Sequence, residues 1–133
     1  MQRTASADRA RFDRLGARLG ARSAGRVRRR MAPIRVTTRG GDAAQTEADT
    51  RVVGVWDGEE AADEAARGLV ASGEARTGVG RTAVTHEPVS GGGSRRLIVA
   101  GLGTREAWDA EKARAAAAAA ATRAKEVGAR GLS

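Results

Sequence analysis

The residues of this 133-residue chain best placed for chemistry are two glycine-spaced segments, one acidic run, a single histidine and two tryptophans. Gly101-Leu102-Gly103 stands between a β-rich run and a helical one, where backbone N–H groups at a helix start can cradle a phosphate. A dinucleotide fingerprint wants a third small residue three positions on, and Glu106 stands there. Its carboxylate would oppose a pyrophosphate, so the segment reads as a tight structural turn. Gly78-Val79-Gly80 with Ala83 repeats the spacing, but it leads into a strand where the fingerprint needs a helix. Asp57, Glu59, Glu60, Asp63 and Glu64 form an acidic run that a hard cation could use. It lacks the spaced oxygen ligands of a calcium loop, and the start of a helix attracts such residues through its dipole. His86 is the only histidine. It has no second imidazole, cysteine or suitably spaced serine beside it, so no triad is available. Trp56 and Trp108 read as core or interface anchors, because a base-stacking platform uses several aromatics beside cations. The expectation is that the chain holds no catalytic residue, no cofactor-binding residue and no metal ligand.

The elements that would position these residues alternate between strand and helix from Met31 onward. Ile34 to Thr38 reads as a short strand with Ile34 and Val36 on one face. Gly40, Gly41 and Asp42 mark a loop. Arg51 to Trp56 is a nearly continuous apolar run, suited to a strand buried on both faces of a parallel or mixed sheet. Glu59 to Ala71 follows with helix formers and is closed by Ser72-Gly73. Thr82 to His86 and Arg95 to Ala100 are spaced as two pairing strands around the loop Gly91 to Gly93, with their relative direction left open. Thr104 is the expected N-cap of a long helix reaching about Val127. Seven consecutive alanines, Ala115 to Ala121, let that helix lie close to a sheet, and Gly128 or Gly131 would end it. After Gly131-Leu132-Ser133 a βαβ unit would return to the sheet. The expectation is that the return strand is missing and the domain is truncated at its C-terminal end, leaving edges that favour poor solubility or oligomers.

Charge divides the chain in two. The net charge is +8, and residues 1–30 hold all of it, with ten arginines against Asp8 and Asp13. Residues 31–133 are neutral, with fourteen Lys or Arg against fourteen Asp or Glu. A nucleic-acid-binding domain would carry the surplus on its folded face. For residues 1–30, Phe12, Leu15 and Leu19 permit a short amphipathic helix. Four readings stand open: a basic arm for nucleic acid, a surface helix for anionic lipid, a transit-peptide-like segment, or a non-functional extension with Met31 as the natural start. A secretory signal is not expected, since no continuous apolar h-region is present. Cysteine is absent, which removes disulfides and thiol chemistry and suits a reducing cytoplasm.

Three segments in order, ADTRVVGVWDGE at 48–59, LVASGEARTGVGRTAVTH at 69–86 and RRLIVAGLGTREAWDAEKARAAAAAAATRAKEVGARGLS at 95–133, resemble the amino-terminal domain of leucyl (cytosol) aminopeptidases. Each is ordinary alone; their order and spacing carry the resemblance, which covers about 100 residues. Residues 1–30 lie outside it. The resemblance implies an α/β fold, a macro-domain-like three-layer α/β/α arrangement with a mixed sheet. It further implies that 31–133 is an incomplete amino-terminal domain that helps to assemble a hexamer. A separate catalytic domain would hold two divalent metal ions, Mn or Zn, bound by lysine, aspartates and glutamate, with arginine and bicarbonate assisting. The family's Asn-Thr-Asp-Ala-Glu-Gly-Arg-Leu stretch does not occur here, so no functional residue carries over. The implied function is that of a non-catalytic piece of a cytoplasmic enzyme that removes amino-terminal residues from peptides. The alternative is a stand-alone macro-like module binding ADP-ribose or another nucleotide.

Overall fold

The computed structural model describes residues 35–38 and 40–133. The arginine-rich segment 1–30, the proposed start at Met31 and Ile34 lie outside the described residues. Arg35 to Thr38 has no regular secondary structure, and Val36 is 82 % exposed. The expected strand there is therefore not formed among the described residues. Its few alternating residues have no neighbouring strand to take their backbone hydrogen bonds.

From Arg39 to Ser133 the chain forms one unit. Gly40 to Asp42 form the expected loop, and Asp42 caps a single 3-10 turn, Ala43–Gln45, that the sequence did not suggest. Strand β1 spans Thr50–Trp56, helix α1 Glu64–Ala71, strand β2 Thr82–Pro88, strand β3 Ser94–Gly103 and helix α2 Ala110–Glu126. The sheet is mixed, in the order β1-β3-β2. β1 runs parallel to β3, and β2 runs antiparallel to it, which settles the direction that the sequence left open. β3 is central because it is the most apolar strand, with Leu97, Ile98, Val99 and Ala100 all buried.

Register assigns the two faces. Arg51↔Leu97, Val53↔Val99 and Val55↔Gly101 pair across β1 and β3, and Ala83↔Val99 and Thr85↔Leu97 pair across β2 and β3. On that face Val55, Leu97 and Val99 form a core with Ala66 of α1 and Ala75, with Leu69 and Val70 packed against it. Ile98 and Ala100 point the other way. There α2 packs chiefly on β3, its buried Ala116, Ala120 and Ala124 recurring every fourth residue. The alanine run thus does what its composition predicts, letting a helix approach the sheet closely. β1 is not buried on both faces as expected. It is an outer strand of the sheet, and Gly54 on its second face is exposed.

Both helices start later than expected, and for one reason. Asp63 caps α1, accepting from the Ala66 N–H at 3.0 Å, and Asp109 caps α2, accepting from the Lys112 N–H at 2.8 Å. An aspartate close to the first packed turn is a stronger cap than the earlier acids or Thr104. α1 ends as expected, at Ser72 with Gly73 in the left-handed region at φ +79°. No helix among the described residues is long and apolar enough to cross a membrane.

The chain also reaches the sheet again. Leu132 forms a parallel bridge with Thr50, Ser133 N–H donates to the Thr50 carbonyl at 3.1 Å, and Val52 N–H donates to the Ser133 carbonyl at 2.8 Å. Among the described residues no fourth strand is formed, as expected, but an isolated bridge seats Leu132 on the outer edge of β1, a contact that the sequence did not suggest. Asp49 fixes the approach of this segment, its carboxylate accepting from the Arg130 and Gly131 N–H groups at 3.1 Å.

Candidate functional site

The C-terminal ends of the parallel strands β1 and β3 are where open α/β sheets place ligands, and the two glycine segments meet there. Gly101-Leu102-Gly103 is not a strand-to-helix turn. It is the end of β3, and Leu102 is the extra residue of a bulge, since Val55 pairs with Gly101 while Trp56 pairs with Gly103. Gly103 sits at φ +74°. The 76–80 loop lies directly on it: a Cβ on Gly101 would stand 2.2 Å from the Gly78 carbonyl oxygen. Gly101 N–H donates to the Arg81 carbonyl at 2.8 Å, and Gly103 N–H donates to the Thr77 carbonyl at 2.7 Å. The N–H groups that could have cradled a phosphate are therefore spent inside the protein. The two motifs are a single packing device, and sequence spacing alone could not show that they face each other.

Beside this joint lies an open cleft of about 670 Å³, lined by Trp56, Asp57, Gly58, Glu59, Val70, Ala75, Arg76, Thr77, Gly78 and Arg81. Trp56 and Trp108 meet edge to face, with ring centroids 4.9 Å apart, and the Arg105 guanidinium lies 4.5 Å from the Trp56 ring centroid. Arg105 also grips Glu59 with two bonds of 2.6 and 2.8 Å. That bidentate contact holds the Glu59 carboxyl below its ordinary value.

The acidic run is dispersed by the fold. Asp57 accepts from the Thr77 hydroxyl at 2.7 Å, Glu59 is held by Arg105, Glu60 by Arg67 at 2.9 Å, and Asp63 caps α1. Among the described residues no three His, Cys, Asp or Glu side chains are grouped to hold a metal ion. His86 is exposed on β2 opposite Arg96.

One charged cluster escaped sequence reasoning. Arg51 on β1, Glu87 on β2 and Arg95 on β3 are buried together at the end of the sheet where β1 and β3 begin, and Asp63 joins them from the start of α1. Arg51 Nε donates to Glu87 Oε1 at 2.8 Å, Arg95 Nε donates to the same oxygen at 2.6 Å, and Arg51 Nη2 is paired with both Asp63 and Glu87. The Arg51 bond pulls the Glu87 carboxyl below its ordinary value against the opposing effect of burial, and Arg95 adds to it. For Asp63, burial raises the carboxyl, but the Ala66 N–H and Arg51 outweigh it and the net direction is down. The only sequence signal was that each charge stands at the end of a strand run, where a solvated position is the ordinary reading.

These features describe a domain whose polar groups are largely occupied by its own architecture. A search of curated proteins finds no match to the chain. The family model for the cytosol aminopeptidase family, N-terminal domain, matches residues 46–132, about two thirds of the chain and nearly all of its folded unit. The three segments that suggested this family all overlap the match, and the chain belongs to the cytosol aminopeptidase family through its N-terminal domain.

Proposed function

We propose that this chain is the non-catalytic, architectural domain of a cytoplasmic, metal-dependent leucyl aminopeptidase, and that residues outside it perform the peptide cleavage. The family match carries the reading. The fate of the acidic run supports it, because a two-metal hydrolase needs carboxylates free to bridge cations. Here Glu59, Glu60 and Asp63 are matched to arginines, and Asp57 to a hydroxyl. The described residues do not fit two divalent ions, so no step of hydrolysis is assigned to them. α1 against one sheet face and α2 against the other support a macro-like α/β/α layering. Family membership supports assembly into a hexamer.

The test is direct. Purified 1–133 with added Mn²⁺ or Zn²⁺ is expected to leave leucine p-nitroanilide intact. Hydrolysis that rises with protein concentration and disappears with chelator would overturn the proposal.

A further inference from the structure

The cleft beside the glycine joint has a chemical character that the architectural role does not use. Two of its lining residues, Arg76 and Arg81, are exposed and make no ion pair among the described residues. Arg51, Arg67, Arg95 and Arg105 are all paired with carboxylates. The acids of the cleft are committed, Glu59 to Arg105 and Asp57 to the Thr77 hydroxyl. With Glu59 matched, two arginines face one remaining carboxylate. Val70, Ala75 and the Trp56 ring supply an apolar wall, and the cleft's volume of about 670 Å³ lies within the range of small-molecule sites, roughly 300–1,000 Å³.

We propose that this cleft binds a small organic anion with a carboxylate at one end and an apolar body at the other, such as an N-acylated amino acid. Arg76 and Arg81 receive the carboxylate. Guanidinium is the side chain suited to that group, since its planar fork donates two parallel hydrogen bonds. The apolar body lies against Val70, Ala75 and Trp56. The dispersed acids and the spent N–H groups of Gly101 and Gly103 point away from a metal or a pyrophosphate and leave the arginines as the recognising groups. The inference does not depend on any peptidase activity.

Both tryptophans of the chain lie at or beside the cleft, so intrinsic fluorescence reads occupancy without a label. The full 133-residue chain is titrated with N-acetyl-leucine, and in parallel with N-acetyl-leucinamide, which has the same body without the charge. The carboxylate is expected to give a saturable change at constant ionic strength. Arg76→Ala with Arg81→Ala is expected to weaken it by about tenfold or more, the loss of a charge-assisted hydrogen bond. Arg96→Ala with Lys125→Ala, which alters charge away from the cleft, is expected to bind as the parent does. Equal responses to acid and amide, or an unchanged titration in the Arg76/Arg81 variant, would sink the proposal. The acid-versus-amide comparison uses the unaltered chain, so a folding defect in the variant cannot rescue it.

Discussion

Glu87 on β2 is one of four charged side chains that meet where β1 and β3 begin. Its carboxylate is the common acceptor for two buried guanidiniums on two other strands. Replacing it by alanine leaves Arg51 and Arg95 charged, buried and short of a partner, which typically costs 3–5 kcal/mol. Glu87→Ala is therefore expected to lose about 3 kcal/mol or more in urea unfolding. A loss under about 1 kcal/mol would mean that water takes the place of the carboxylate. By contrast the surface pair of Lys112 with Asp109, both substantially exposed, contributes little as an ion pair. Asp109 matters instead as the cap of α2. None of this was legible in the sequence. Arg51, Glu87 and Arg95 look like the polar ends of apolar runs, and only the register of three strands brings them onto one face.

At the scale of elements, the three strands from Thr50 onward and the order of the helices were legible, but their limits were not, and the strand expected at Ile34 to Thr38 is not formed among the described residues. β2 and β3 extend beyond the expected runs because a hairpin pairs residues that are not themselves apolar, such as Glu87↔Arg95 and Pro88↔Ser94. The long helix was expected from Thr104, but β3 carries on to Gly103 and the chain needs Thr104 to Trp108 to turn before Asp109 can cap. Gly101-Leu102-Gly103 reads as a turn between strand and helix and is instead the bulged end of β3, while Gly78-Val79-Gly80 leads into a strand as expected. Gly101 is required by close backbone approach, which no local pattern encodes, whereas Gly80 and Gly103 stand in the left-handed region at φ +79° and +74°. Gly101→Ala would place a methyl carbon 2.7 Å from the Arg76 carbonyl oxygen and closer still to that of Gly78. Backbone must move, and a loss of about 1–3 kcal/mol is expected from such overpacking. Gly68→Ala is the matched control, inside α1 with nothing within 4 Å of the added atom. It should gain roughly 0.5–1 kcal/mol through helix propensity and a less flexible unfolded chain. Thermal melts of the two variants should move in opposite directions. Similar shifts would contradict the interlocked arrangement of β3 and the 76–80 loop.

For the molecule as a whole, charge and acid stability separate. The basic surplus belongs to residues 1–30, whereas the folded unit depends on carboxylates that are held ionised. Glu87 and Asp63 both sit below their ordinary values of 4.5 and 3.8. The unfolded chain therefore takes up protons first as pH falls. Their stabilisation is complete above those ordinary values and is lost as pH drops through the lower folded-state values. Urea midpoints are expected to be flat near neutrality and to fall steeply below about pH 4.5. In Glu87→Ala the same fall should be shallower, and an unchanged slope would remove Glu87 from the account. The bridge between Leu132 and Thr50 has a further consequence, in time. Asp49, Thr50 and Val52 are bonded by residues 130–133, some eighty positions downstream. At about 5–20 residues per second, a ribosome needs roughly 4–16 s to deliver those partners after β1 has emerged. Throughout that interval one side of an apolar strand stands open, so the nascent chain is exposed to chaperones, proteases and its own neighbours until residues 130–133 are made.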